Sequence, residues 1–349
     1  MGYRSSSNDG DDTKDDLDTK QETHTDWKQL PKHRDEDQVA LDVNRSFIYY
    51  PTNQTQEDTD RRKEELSLLI TQVLRQHPYL CYFQGYHDIS QVFLLVLGSA
   101  PSEEALARLS ALRIRDFMLP TLAPALSQLR LIPSILNAVN SSLCAHLSQT
   151  QPFFALSGTL TMYAHDIQEY GDIARLFDVL LAREAVFSVY MFAQIVLHRS
   201  QELFETPADE PEMLHSILSK LPKPLNLEAI ISDTVKLFDA HPPESLREWK
   251  SISANSVLKT ARWPDQLLTQ DVEADGRFYF QEQVRELEWA ERKDRVRGLM
   301  WKYRRPAAAT GMAILIGLLS IYLRKSGVSS GFFTTLQRKW GILFSTFLN

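Results

Sequence analysis

The sequence predicts an all-α protein that ends in a membrane helix. Glycine is scarce at 13 of 349 residues, and the 16 prolines gather at segment edges, which disfavours a turn-rich β fold. Apolar residues return at helical spacing in segment after segment, without period-2 runs of any length. Near the carboxyl end, 18 consecutive residues carry no charge, the length of a bilayer-crossing helix.

Composition bounds the rest. A hydrophobic share of 43% in 349 residues supplies one large helical core or two smaller ones. A net charge of -7 argues against nucleic-acid binding, which needs a basic face. Two cysteines, Cys81 and Cys144, make no disulfide framework, so a reducing compartment is expected.

Residues 1–26 are acidic, polar and nearly without apolar side chains. They cannot bury enough surface to offset ordering entropy and are expected to be disordered. They also lack the apolar run of a signal peptide. Residues 27–245 are expected to form the main domain. In "DTDRRKEELSLLITQVLRQHP", Leu66, Leu69, Ile70 and Val73 form one apolar face, with Asp58 and Thr59 as capping candidates. His77-Pro78 should end this helix, because a residue before proline avoids the α region. "DISQVFLLVLG" is apolar nearly all round, as a central helix is. The segments "SEEALARLSALRIRDFM", "SQLRLIPSILNAVNSSLCAHL", "DIARLFDVLLAREAVFSVYMFAQIVL" and "NLEAIISDTVKLFDAHPP" continue the pattern. Within the third, the uncharged run Ala185 to Leu197 is only 13 residues long, so a core helix is expected there rather than a span.

Residues 246–303 are more polar and read as a helical stalk. Residues 304–325 read as a transmembrane anchor, built on "PAAATGMAILIGLLSIYL" from Pro306 to Leu323. Its rise of roughly 27 Å matches a bilayer's hydrocarbon core. Arg292 to Arg305 holds seven Lys/Arg and one acid, so the positive-inside tendency puts the large domain in the cytosol. Residues 326–349 form a short tail with apolar residues toward its end, compatible with an interfacial helix or a re-entrant hairpin.

Complete catalytic sets are missing. His77, Cys81, His87 and Asp88 stand in an H-x3-C-x5-H-D spacing that matches no familiar zinc site, and nothing forces Cys144 and His146 to join them. A Cys81 nucleophile with His87 or His165 as base has no sequence support beyond the presence of those residues. "AHD" at 164–166 reads as a helix-end polar group. A phosphate-binding G-x-x-x-x-G-K-[ST] loop does not occur.

Two stretches remain. In "VALDVNRSF", Asp42 lies one helical turn before Arg45 and can hold its guanidinium; by itself this is an ordinary surface ion pair. In "YFQGYHD", Gln84 sits between aromatic residues and Gly85, at the opening of the next helix, where backbone N–H groups favour anions; by itself it is a loop amide.

Together, V-x-x-D-x-x-R (Val39, Asp42, Arg45) and Y-x-Q-G (Tyr82, Gln84, Gly85) resemble the paired motifs of the TBC-domain family, GTPase-activating proteins for Rab GTPases. "ALSGTLTMYAHDI…ARLFDVLL" at 155–181, with Arg175, Leu176, Phe177 and Asp178, resembles a later motif of that family. The likeness covers roughly residues 27–245. With its carboxyl-terminal anchor the whole chain is similar to the tail-anchored, endoplasmic-reticulum member of the family. The family's opening R-x-x-x-W motif has no match upstream of Arg45; a missing first helix would leave apolar core uncovered and bears on stability more than on chemistry.

The resemblance implies a multi-helix Rab-activating domain and two fingers inserted in trans. Arg45 would stabilise charge developing on the γ-phosphate, and Gln84 would orient the attacking water. Asp42 would aim Arg45, while Tyr82 and Gly85 would shape the glutamine loop. The partner is a Rab-family GTPase in its GTP form, which carries the GTP and Mg²⁺; this chain needs no cofactor. The implied setting is the endoplasmic-reticulum membrane, with ER-to-Golgi traffic as the process. A non-catalytic, membrane-anchored tether that binds a Rab is the alternative.

Overall fold

The computed structural model describes residues 26–326, with the side chains at 305, 307–309 and 324 outside that description. The stretches expected to be a disordered amino end and a short tail therefore lie almost wholly outside the described residues. Two units are distinguished, Met1–Gln283 and Val284–Asn349. Among the described residues every regular element is helical.

The first unit opens with α1 (Glu36–Val43) and α2 (Gln56–Gln76). The apolar face of α2 is buried as its spacing demands, with Leu66, Ile70, Val73 and Leu74 fully covered. Its cap is Thr55, not Asp58 or Thr59: the Thr55 hydroxyl accepts from the Asp58 backbone N–H at 3.1 Å. Thr55 holds the extended backbone that a capping residue needs. His77, just before Pro78, closes the helix. Next comes α3 (Tyr86–Leu97), whose Ile89, Val92, Phe93 and Leu94 enter the core.

Three expected helices are broken. The first gives α4 (Ser99–Arg108), a π turn at Leu109–Arg113 and a 3₁₀ turn at Arg115–Phe117. It breaks where two buried arginines turn inward to cap carbonyls: Arg113 donates to Leu180 and Arg183, and Arg115 to Ala111 and Asn255. The second divides into α5 (Ala123–Leu129), α6 (Leu131–Val139) and α7 (Ser141–His146). Asn140 makes the last division, its side chain capping α7 through the Leu143 N–H at 3.0 Å. After α8 (Leu156–Leu160), the third is split at Arg183–Glu184 into α9 (Tyr170–Ala182) and α10 (Phe187–His198).

Helix α10 is the central element. Residues Phe187 and Val189 through Val196 are all buried, so the 13-residue uncharged run is a core helix. After α11 (Ser200–Glu205) and α12 (Pro211–Leu218), α13 (Leu227–Ala240) packs on it, with the Tyr190 and Phe238 rings edge to face at 4.9 Å.

Residues 246–283 correct the expected stalk. Trp249, Ile252, Val257, Leu258, Ala261 and Phe280 are buried in the first unit, with α14 (Val257–Thr260) and α15 (Pro264–Thr269) among them. A few of its groups reach a buried hub, while most of its polar side chains face solvent. Asp116 accepts from Gln128 at 2.7 Å, the Val257 N–H at 3.0 Å and Gln283 at 2.8 Å. Arg115 donates to Gln283 at 2.9 Å.

Helix α16 runs from Arg277 to Lys325. In the second unit its residues Glu288 to Arg304 are exposed. Among the described residues no helix is long and apolar enough to cross a membrane; the expected anchor at 304–325 includes the side chains that lie outside the description.

Candidate functional site

A cleft of about 780 Å³ opens between the turn after α1, the loop before α3 and the turn after α8. Arg45, Tyr82, Gln84 and Gly85 all line it. Asp42, buried directly behind Arg45, is entirely inaccessible, whereas the Arg45 side chain is 59% exposed. The structure thus gathers all five residues singled out in the sequence.

The arginine turn is held from three sides. α1 ends in successive tight turns, Arg45 N–H to Asp42 carbonyl at 3.0 Å and Ser46 N–H to Val43 carbonyl at 2.9 Å. Lys63 of α2 caps the Asn44 carbonyl at 2.8 Å. Gln91 of α3 accepts from the Phe47 N–H at 2.8 Å, which fixes Phe47 in the left-handed region at φ 61°. A phenylalanine there is strained, and its buried ring and the Gln91 bond hold it.

The glutamine loop is set by packing below and a turn above. Phe83 is buried, its ring tilted against Tyr86 at 5.7 Å and edge-on to Phe117 at 6.2 Å. Gly85 adopts φ 107°, and a Cβ there would stand 2.6 Å from Thr161 Cγ2. Glycine is required on both counts. Between Phe83 and Gly85, the Gln84 side chain is pushed outward, exposed and without a hydrogen bond among the described residues.

The segment leading into α1 is tied to the start of the glutamine loop, and α1 is tied to α2. His33 Nε2 lies 3.1 Å from the Leu80 carbonyl, and Asp35 accepts from the Tyr82 N–H at 2.9 Å. Glu36 and Arg75 form a paired contact at 2.7 and 2.8 Å, the planar fork geometry that suits arginine.

A polar chain then runs along the cleft wall. Arg45 and Gln38 both donate to Asp42 Oδ1, and the Tyr82 hydroxyl donates to Asp42 Oδ2 at 3.0 Å. The Tyr82 hydroxyl and His87 Nδ1 are 3.2 Å apart in hydrogen-bond geometry. His87 Nε2 lies 3.4 Å from Asp88 Oδ1, and Asp88 Oδ2 lies 3.0 Å from His165 Nδ1. Burial and the Asp42 carboxylate push the Tyr82 hydroxyl well above its ordinary value, so it stays a donor. Burial lowers His87, while the hydrogen bond to Asp88 raises His165.

Several residues of the site were missed in the sequence. Asp88 stood out only in a stray metal pattern, His87 there and as an unsupported base for Cys81, and His165 as such a base and in a helix-end group. Gln91 and Thr161 carried no local signal at all. Elsewhere, Cys81 lines the cleft with its thiol accepting from Arg34 at 2.8 Å, and burial raises it, which disfavours a thiolate nucleophile. His77 faces Glu273 at 2.6 Å, and no group of three or more potential metal ligands occurs among the described residues. Arg175 pairs with Glu228 at 2.8 Å on the surface, while Leu176 and Phe177 are core residues.

An all-helical domain with an open cleft, rimmed by an exposed arginine and an exposed glutamine, is the class of protein that fold and site define. Compared with known proteins, residues 1–204 match the Rab-GTPase-TBC domain family. GTPase-activating protein gyp10 of Schizosaccharomyces pombe is 34% identical over 73% of this chain and 69% of its own length. TBC1 domain family member 20 of Homo sapiens is 35% identical over 61% of this chain and 53% of its own length, so the match spans about half of that relative. GTPase-activating protein GYP8 of Saccharomyces cerevisiae is 28% identical over 50% of this chain. The chain belongs to the Rab-GTPase-TBC domain family, GTPase-activating proteins that act on a GTPase partner.

Proposed function

We propose that the chain accelerates GTP hydrolysis by a Rab-family GTPase through Arg45 and Gln84, inserted together into the partner's nucleotide site. The observation that carries this reading is that Arg45, aimed by the inaccessible Asp42, and the outward Gln84 line one cleft. The Arg45 guanidinium neutralises charge developing on the γ-phosphate and the β–γ bridging oxygen. The Gln84 amide orients the attacking water. GTP and Mg²⁺ arrive with the partner. Phosphoryl transfer rewards positioning and charge stabilisation rather than covalent chemistry, and an arginine finger is worth on the order of 10³–10⁵ in rate.

The setting follows from the family likeness and the carboxyl-terminal run: the 18 uncharged residues from Pro306 anchor the chain, and the seven cations before them keep the domain cytosolic. An endoplasmic-reticulum location and a Rab of ER-to-Golgi traffic complete this reading. The test is single-turnover GTP hydrolysis across a Rab panel with the full chain and its Arg45→Ala, Arg45→Lys and Gln84→Ala variants. Acceleration by the unmutated chain, lost in all three variants, supports it. Lysine is expected to fail because a point charge does not reproduce the planar fork. Binding without acceleration would leave a membrane-anchored tether instead.

A further inference from the structure

The polar chain behind Arg45 contains one proton too few for all its contacts. Asp42, with the Tyr82, Gln38 and Arg45 donors around it, only accepts. The Tyr82 hydroxyl has a single hydrogen, and it goes to Asp42 Oδ2. The 3.2 Å contact between the Tyr82 hydroxyl and His87 Nδ1 is therefore a hydrogen bond only if Nδ1 carries a proton and donates. In the opposite tautomer Nδ1 accepts, Tyr82 turns its hydrogen to His87, and Asp42 Oδ2 is left facing an oxygen lone pair.

Competition for that proton is built into the site. His87 Nε2 lies 3.4 Å from Asp88 Oδ1 without hydrogen-bond alignment, and a donor is what a carboxylate would ask of it. Asp88 has a second partner, His165, at 3.0 Å. A protonated His165 neutralises Asp88 and removes its claim on His87. The charged and titratable groups facing His87 are Asp42 and Arg45 at the end of α1, Tyr82 in the glutamine loop, Asp88 on α3 and His165 after α8. Burial lowers His87, so a neutral ring with one proton to place is the species at neutral pH.

We propose that His87 is a positioning residue for Arg45: its proton, held on Nδ1, keeps the Tyr82 hydroxyl on Asp42 and thereby keeps Asp42 fixed as the seat of the guanidinium. His165 and Asp88 bias where that proton sits. The inference rests on Arg45 acting as proposed above, and deepens that reading.

Two substitutions separate the ring nitrogens. The amide nitrogen of asparagine takes the place of Nδ1, and that of glutamine takes the place of Nε2. In the full chain, His87→Asn is expected to retain the maximal stimulated hydrolysis rate, and His87→Gln to lower it on the order of tenfold or more. The GTPase concentration at half-maximal rate should not change, since His87 acts through Arg45 rather than on the partner. In an Arg45→Ala background the two variants should be indistinguishable. Equal losses in both variants, or a difference that persists without Arg45, would overturn the proposal. If the unmutated chain accelerates no Rab, the proposed activity fails, and the histidine ring-nitrogen chemical shifts of the full chain at pH 7.5 still decide proton placement. A neutral His87 protonated on Nδ1 supports the proposal, and one protonated on Nε2 overturns it.

Discussion

The Asp116 carboxylate accepts from the backbone N–H of Val257 at 3.0 Å, a contact that joins residues 141 positions apart. Asp116 is 1% exposed and also takes hydrogen bonds from Gln128, Ser256 and Gln283. These bonds compensate its desolvation, and the neighbouring Arg115 guanidinium shares the same hub through Gln283. Asp116→Ala strands four donors and the buried arginine together. The expected loss is on the order of 3–5 kcal/mol, read as a fall of roughly 10 °C in the thermal midpoint of the full chain by circular dichroism. An unchanged midpoint would mean that residues 246–283 do not pack on the hub.

Gly85 and Thr161 meet so closely that a single added carbon does not fit. Gly85→Ala is expected to cost about 1–3 kcal/mol from its left-handed backbone and, more visibly, to displace Gln84. The stimulated hydrolysis rate should fall toward that of Gln84→Ala, while the thermal midpoint drops only a few degrees. Adding Thr161→Ala removes the Cγ2 contact but not the backbone strain, so it should restore part of the rate. A Gly85→Ala variant with the full rate would show that the loop does not set the glutamine.

Acid should weaken the fold through its histidines. Burial lowers His33, His77 and His87 below their ordinary 6.5. Between the folded and unfolded values the unfolded chain binds more protons, so stability drops as pH falls through about 6.5. His165 has the opposite sign: raised by Asp88, it contributes stability below 6.5 that is lost as pH rises through its folded value. Among the described histidines three lowered groups face one raised one. The thermal midpoint should fall from pH 7.5 to 5.5, and more steeply in His165→Asn. A flat or rising profile would contradict this balance.

How much of this was legible depended on whether the signal was local. The face of α2 and the burial of α10 follow from spacing within a few residues, whereas the stretches around Arg45 and Gln84 were legible as a pair only through their resemblance to the family's motifs. The Thr55 cap was missed because capping depends on the backbone angle just before the helix, and Asp58 and Thr59 offered equally suitable side chains. The broken helix at Leu109–Arg113 was missed because Arg113 reaches the Leu180 carbonyl, 67 residues on. The polar stretch 246–283 resembled a stalk because most of its polar residues do face water, and the buried residues, such as Trp249, Ser256, Val257 and Gln283, are scattered between them.

By itself the sequence determined that the protein is all-α, that an uncharged 18-residue run stands near its end, and that an arginine with its carboxylate and a glutamine with its glycine are present. Those properties reside in helical period, run length and residue chemistry over short windows. Only the tertiary structure decided that the two stretches share a cleft, that Gln91 and Thr161 pack against them, and that Tyr82, His87, Asp88 and His165 continue a polar chain from Asp42. Periodicity specifies which face of a helix is buried but not its partner, and a hydrogen bond between residues 77 positions apart, such as Asp88 to His165, exists only once the chain has brought them within 3.0 Å.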